Sequence, residues 1–169
     1  CYLRLLSEKQ MKLPLLPVLA LAVNAFLSGG LQAALPHTEV RIATPWPAQN
    51  TIITMLGYGD SLVGTSAVAK QILLFRQSLP HINHVPVVSI NNGNELNPEQ
   101  IIALGTQMLF VPENMQIARP DTLEQAGVKV LAFKANSLAA LRERVLQTGD
   151  ALGPDAQQKA QAYEQYFAH

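Results

Sequence analysis

The chain has 169 residues, of which 12 are basic and 12 are acidic, so that it carries no formal net charge. Apolar residues make up 49% of the chain, which is enough to fill the core of one domain and too much for a disordered protein. The balanced charge provides neither the basic surface that binds nucleic acid nor a polybasic segment that binds a membrane. We therefore expect a globular domain with no nucleic-acid partner.

The N-terminal region has the layout of a secretory signal peptide. Met11 and Lys12 precede an apolar run over residues 13–27, and small residues then lead to Ala33. The run is shorter than the roughly 20 residues that span a membrane, although an uncleaved anchor is the alternative. We therefore predict a signal peptide over residues 11–33, preceded by an upstream extension over residues 1–10, and a periplasmic mature chain.

Cysteine and histidine give no indication of a metal site. Cys1 is the only cysteine and precedes the predicted signal peptide, so a chain cleaved after Ala33 has neither a disulfide nor a thiolate ligand. His81 and His84 lie in a proline-flanked loop rather than on one face of a helix, and no third ligand accompanies them. We predict no metal site and no cofactor.

Strand and helix patterns alternate from the start of the mature chain. The first strand, over residues 40–43, leads through a proline-containing turn into a helix that begins at Pro47 and ends at Gly57. A second strand is predicted over residues 62–65 and a helix over residues 68–79. We expect that helix to bury Ile72, Leu73 and Phe75.

The second half repeats the alternation. Asn97 caps a helix that opens with Pro98, and apolar strands follow over residues 108–111 and 128–133. A long helix begins after Ser137. We expect its buried side to carry Leu138, Leu141, Val145 and Leu152.

This alternation predicts an α/β fold, with a Rossmann-like parallel sheet flanked by helices. We place the α/β lobe over residues 34–153 and the start of a further helix over residues 154–169. No composition change or linker divides the mature chain into two domains.

The turn after the first strand is the strongest candidate for a ligand contact. Ligands of open α/β sheets bind at the carboxyl ends of strands, and Trp46 lies there beside a helix N-terminus. A rigid aromatic with backbone donors behind it suits a planar or anionic ligand, although a core tryptophan is the alternative. The predicted ligand-binding residues are Thr44, Pro45, Trp46, Ser66, Asn91 and Asn92.

The sequence carries no recognisable catalytic motif. It has neither the phosphate-binding G-x-x-x-x-G-K-[ST] loop nor the G-x-S-x-G nucleophile turn. Ser66, Ser89 and Ser137 have no neighbouring histidine or aspartate at a suggestive spacing. We predict that the chain is not an enzyme, with a small exported α/β enzyme as the alternative.

Three segments carry a resemblance to a known family. Residues 56–64 read L-G-Y-G-D-S-L-V-G, residues 97–111 pair N-P-E-Q-I-I-A-L with M-L-F-V, and residues 123–131 read L-E-Q-A-G-V-K-V-L. In this order they resemble the periplasmic substrate-binding proteins of the ABC importers for iron–siderophores, haem and cobalamin. The matches extend over residues 39–152 and resemble the N-terminal lobe alone.

The resemblance implies two α/β lobes, joined by a long helix, that hold a ligand between them. The ligand would be a metal chelate such as an iron–siderophore, haem or cobalamin, or an oxyanion, and delivery would be to an inner-membrane ABC permease. In this family a glutamate on each lobe docks on the permease, and Glu99 is the matching residue here. Residues 154–169 would begin the interlobe helix of a monomer, and a non-functional remnant of a truncated gene is the alternative.

Overall fold

The computed structural model describes residues 40–90 and 93–168, which belong to one compact unit, Pro36–His169. The predicted extension and signal peptide lie outside the described residues. Among those that are described, no helix combines the length and apolarity that crossing a membrane requires. The elements are β1 (Ile42–Ala43), α1 (Pro47–Met55), β2 (Leu62–Gly64), α2 (Ala67–Gln71), α3 (Leu73–Ser78), β3 (Ser89–Ile90), β4 (Glu95–Leu96), α4 (Pro98–Ala103), β5 (Met108–Pro112), β6 (Gln116–Ile117), α5 (Pro120–Gln125), β7 (Lys129–Phe133), α6 (Leu138–Leu152) and α7 (Pro154–Phe167).

The main sheet has four strands in the order β2–β1–β5–β7, and all of its pairs are parallel. A parallel bridge between Thr65 and Val87 continues it beyond β2. Strand β5 is buried over most of its length, as expected of a strand covered on both faces. The predicted α/β fold with a parallel sheet is confirmed.

Alternate residues of the strands face two separate cores. Ile42 and Phe110 belong to the core that includes residues of α1, α6 and α7, whereas Ala43 and Leu109 belong to the core that includes residues of α4 and α5. This alternation is the period of two that a β-strand imposes on its side chains. The helices therefore form a layer on each face of the sheet.

A second, smaller sheet lies in the loops. Strand β4 pairs antiparallel with β3 and parallel with β6. Strand β6 follows β5 after only three residues, so the small sheet ties the segment that begins at Gly93 to the segment that leaves the carboxyl end of β5. This connection brings two loops of distant sequence to one edge.

The prediction of one helix over residues 68–79 was wrong. Ile72 has an extended backbone, with φ −73° and ψ 118°, and it separates α2 from α3. Ile72 and Leu73 are exposed, whereas Phe75 is buried as predicted. A β-branched residue such as Ile72 favours extended backbone, and the break turns α3 so that Phe75 alone of the three enters the core.

The predicted buried side of the last long helix was only partly right. Val145 and Leu152 are buried, but Leu138 and Leu141 are exposed. The helix is contacted by α1 and by α7, and this double contact buries a different set of residues. The buried residues of α6 are Ala140, Arg144, Val145, Thr148, Gly149 and Leu152.

Gly149 allows α6 and α7 to approach closely. A Cβ atom at this position would lie 2.6 Å from the Cβ of Ala160 and 3.0 Å from the carbonyl oxygen of Ala156. Because the second of these is backbone, the two helices would have to separate to relieve the contact.

We therefore predict that Gly149→Ala lowers the free energy of unfolding by about 1–3 kcal/mol, the usual cost of overpacking. Urea denaturation followed by circular dichroism measures this change. Glu143→Ala, at an exposed position of the same helix, is the control and should change stability little. Equal stability of Gly149→Ala and the wild type would contradict the close packing.

Candidate ligand-binding site

A shallow depression lies where β1 and β5 end. Its volume is about 270 Å³, close to the lower end of the range for small-molecule sites. The turn after β1 forms one side, and the loop after β5, together with the segment that begins at Gly93, forms the other. The lining residues are Pro45, Trp46, Pro47, Gly93, Asn94, Pro112, Asn114 and Met115.

Two further depressions adjoin it. One of about 330 Å³ shares Asn114 and includes Glu113 and Lys134. The other, of about 360 Å³, shares Asn94 and includes Glu95. The shared residues make the three depressions one continuous surface along the carboxyl edge of the sheet, which we call the ligand wall.

Hydrogen bonds hold the Trp46 turn in place. The backbone N–H of Trp46 donates to Oγ1 of Thr44 over 3.2 Å, and the carbonyl of Trp46 accepts from Nδ2 of Asn50 over 3.0 Å. Oδ1 of Asn50 accepts in turn from Oγ1 of Thr65 over 3.1 Å. Since Thr65 follows β2, the turn is tied to the ends of two neighbouring strands.

The indole of Trp46 is half-buried and has an arginine stacked on it. The guanidinium carbon of Arg144 lies 4.0 Å from the ring centroid, within the distance of a cation–π interaction. One turn further along both helices, Nε2 of Gln49 donates to Oγ1 of Thr148 over 2.8 Å. Helices α1 and α6 therefore run side by side from the ligand wall.

Arg144 is buried without an acidic partner. Arg144 is only 5% exposed. It makes no ion pair with any residue that the structure describes, and its Nε atom has no hydrogen-bond acceptor. Burial lowers the pKa of this guanidinium, but an arginine keeps its proton in proteins. A buried charge without an acidic partner costs free energy, and we expect the stack on Trp46 to offset a part of this cost.

The predicted ligand-binding residues are arranged in three groups. Pro45 and Trp46 line the depression. Thr44 and Ser66 are buried, and their hydroxyls accept backbone hydrogen bonds, in the Trp46 turn and at the start of α2 respectively. Asn91 and Asn92 lie outside the described residues. All six assignments stay predictions.

Glu99 lies in the first turn of α4, where its side chain is 61% exposed and forms an ion pair with Arg119. Neither the exposure nor the ion pair of Glu99 tests its predicted contact with a permease, which stays a prediction. His81 lies in a short 3₁₀-helical turn, Pro80–Asn83, and not in the predicted loop, and the backbone N–H of His84 donates to the carbonyl of His81 over 2.8 Å. Nδ1 of His81 lies 3.7 Å from Oδ1 of Asp60, and His84 is exposed. Within residues 40–90 and 93–168, no group of three or more histidine, cysteine, aspartate or glutamate side chains is arranged so that it could hold a metal ion.

Three solved structures with a similar fold are binding proteins by name. A periplasmic haem-binding protein from Pseudomonas aeruginosa is 26% identical to this chain, with a TM-score of 0.58, over 76% of this chain and 43% of its own. The haem-binding protein RhuT from Roseiflexus sp. RS-1 is 26% identical, with a TM-score of 0.53, over 74% of this chain and 44% of its own. A periplasmic solute-binding protein from Veillonella parvula is 21% identical, with a TM-score of 0.65, over 78% of this chain and 40% of its own.

The fold is that of one lobe of a periplasmic solute-binding protein. The lobe spans less than half the length of each of these three structures, as the resemblance to an N-terminal lobe predicts. All three are binding proteins by name rather than enzymes, which agrees with the prediction that the chain is not an enzyme. No protein-family model and no curated protein matches the chain.

Arg144, the arginine stacked on Trp46, was not predicted as a functional residue from the sequence. Ala140, Arg144 and Thr148 are spaced by four residues, which places them on one side of a helix, and all three are buried in this lobe. The alternation of small residues with one arginine was the available indication. It is weak, because the apolar side of the helix that includes Leu138 and Leu141 was a stronger candidate for burial.

We predict that Arg144→Met raises the free energy of unfolding of the lobe by about 1 kcal/mol or more, since a side chain of similar length replaces an uncompensated buried charge. Urea denaturation measures the change. Arg142→Met is the matched control, because Arg142 is on the same helix but pairs with Glu164 at a part-exposed position, where a loss is expected to be small. A loss of stability in Arg144→Met would show that the stack outweighs the desolvation.

Proposed function

We propose that this chain is the ligand-binding lobe of the solute-binding component of an ABC importer, and that it captures an iron–siderophore or a similar metal chelate. Haem is the first chelate to test, because two of the similar structures are haem-binding proteins by name. The predicted signal peptide supports a periplasmic location. The lobe would cover one side of the ligand, with a second lobe on the other.

The observation that carries the proposal is the position of the Trp46 turn in the sheet. Helix α1 follows β1 on one face of the sheet, and α5 follows β5 on the opposite face. Neighbouring strands whose connections leave in opposite directions form a crevice at their carboxyl ends, and this is where ligands of open α/β sheets bind. The depression between Pro45 and Met115 lies in this crevice.

The lining of the crevice suits a large and partly apolar ligand. Trp46 offers an aromatic plane, and three prolines and a methionine add apolar surface, while Asn94 and Asn114 supply hydrogen-bonding groups at the sides. A macrocycle or a chelate with aromatic arms could stack on the indole and bond to the asparagines. No covalent step is required of the protein for this role.

Haemin titration tests the proposal. We expect saturable but weak binding, observed as a shift of the Soret band, because one wall covers much less than the 70–90% of a ligand's surface that a closed pocket buries. Trp46→Ala should weaken binding by about tenfold or more, the loss of one well-stacked aromatic contact. Tyr166→Ala is the control, since Tyr166 is exposed and does not line the ligand wall.

Two results would contradict the proposal. One is the absence of saturable binding to the wild type with haemin and with ferric citrate as a second chelate. The other is unchanged affinity in Trp46→Ala. Equal losses in the Trp46 and Tyr166 variants would indicate non-specific adsorption of haemin to aromatic surface rather than a site.

We further propose that Glu99 docks the lobe on the permease. Its exposed carboxylate is held by the ion pair with Arg119, and such a surface pair is worth little free energy, so an arginine of a partner could replace Arg119 at low cost. In cells that depend on this protein for chelate uptake, Glu99→Gln should lower the uptake rate severalfold and leave chelate affinity in vitro unchanged. Glu124→Gln, at an exposed position of α5, is the control, and equal uptake by both variants would refute the assignment.

A further inference from the structure

The burial of Arg144 without an acidic partner is not explained by a contribution to protein stability. Arg144 is a cation buried to 5% exposure with no acidic partner among the described residues, and one face of its environment is the indole of Trp46. Resting on the proposed function of the ligand wall, we propose that Arg144 makes the Trp46 ring a contact surface selective for anionic ligand groups. The ligand class is then a chelate with negative charge, such as carboxylate, at the part that packs on Trp46.

Trp46 lines the depression, whereas Arg144 does not, and Arg144 covers one face of the indole. In this proposal the ligand packs on the other face. A cation on one face of an aromatic ring is attracted by the electron density of that face, and its field extends through the thin ring to the other side. The second face of the indole consequently carries a more positive potential than that of an isolated tryptophan.

The lining of the central depression carries no charge that would cancel this potential. The eight residues around the central depression are all uncharged. In the adjoining depressions Glu113 is accompanied by Lys134, so that the two charges there oppose each other, and Glu95 lies in the third depression. Arg144 is therefore the charge with the strongest electrostatic effect on a ligand group that stacks on Trp46.

The expected size of the effect follows from the geometry. The guanidinium lies 4.0 Å from the ring centroid, and a ligand in van der Waals contact with the other face lies about 3.5 Å further away. At this separation, and at an effective dielectric constant near 20, a unit charge changes affinity by about four- to fortyfold, depending on how strongly salt screens it. Neutral chelates should lack this gain.

Collisional quenching of tryptophan fluorescence tests the potential without any ligand. Trp46 is the only tryptophan of the chain, so its emission reports on one site. We expect the ratio of the iodide to the caesium quenching constants to be higher in the wild type than for free tryptophan, and we expect Arg144→Gln to lower this ratio at least twofold. Arg144→Lys should keep most of the ratio because it keeps the charge.

Arg142→Gln is the matched control for net charge. It removes one positive charge from the same helix, but Arg142 pairs with Glu164 on the side of α7, so the ratio should stay near the wild-type value. If Arg144→Gln fails to fold by circular dichroism, the wild type alone decides, since its ratio should fall towards that of free tryptophan in high salt. An unchanged ratio in Arg144→Gln, or a wild-type ratio insensitive to salt, would overturn the proposal.

Haemin carries two carboxylates, so its affinity for the variants tests whether the positive potential contributes to ligand binding. Arg144→Gln should weaken haemin binding by about four- to fortyfold, Arg144→Lys by much less, and Arg142→Gln hardly at all. Unchanged haemin affinity in Arg144→Gln would overturn the assignment of an anionic ligand group to the ring. If the wild type binds neither haemin nor ferric citrate while the quenching ratio responds to Arg144, the proposed chelate function fails and the quenching data alone support the anion-selective surface.

Discussion

The structure of the ligand wall depends on the central position of β1. This strand has only two residues, yet it is paired with β2 on one side and with β5 on the other, and both of its residues are fully buried. The chain that leaves β1 has to emerge in the middle of the sheet edge. Because β1 continues towards β2 while β5 continues towards β7, the crevice opens directly beside Trp46.

The constraint extends from the strand into the helices. Asn50 links the carbonyl of Trp46 to Thr65 after β2, which fixes the start of α1 relative to two strand ends. With α1 fixed, Gln49 and Trp46 meet Thr148 and Arg144 of α6 in two successive layers. The orientation of the indole is thus determined by backbone pairing in the sheet and not by the indole's own contacts alone.

The sequence predicted the features that depend on local pattern. Proline at the first position of α1 and α4, the Asn97 cap and the apolar run of β5 are each determined by a few neighbouring residues, and the parallel sheet follows from their alternation. The Trp46 turn was predictable for the same reason: a strand followed by a proline-initiated helix has to place its turn at the carboxyl edge.

What the sequence did not reveal depends on which face of a helix its neighbours cover. Leu73 and Leu138 are apolar and share the helical spacing of buried residues, so both were expected in the core. In the part of the chain that the structure describes, both are exposed. Arg144 was not among the residues predicted to be buried, yet it is buried, because α1 and α7 both contact α6. A periodic pattern identifies a possible interface, but the choice between two such patterns is made by tertiary packing.

Rigidity and charge at Trp46 have a common consequence for binding. A turn that is already held by hydrogen bonds loses little conformational freedom when a ligand packs on it, so more of the contact free energy remains as affinity. An uncompensated charge beneath the ring has the opposite effect on the free lobe, since its desolvation lowers stability. An anionic ligand group on the other face would recover part of that cost only in the complex, so the strain would favour the bound state over the free one.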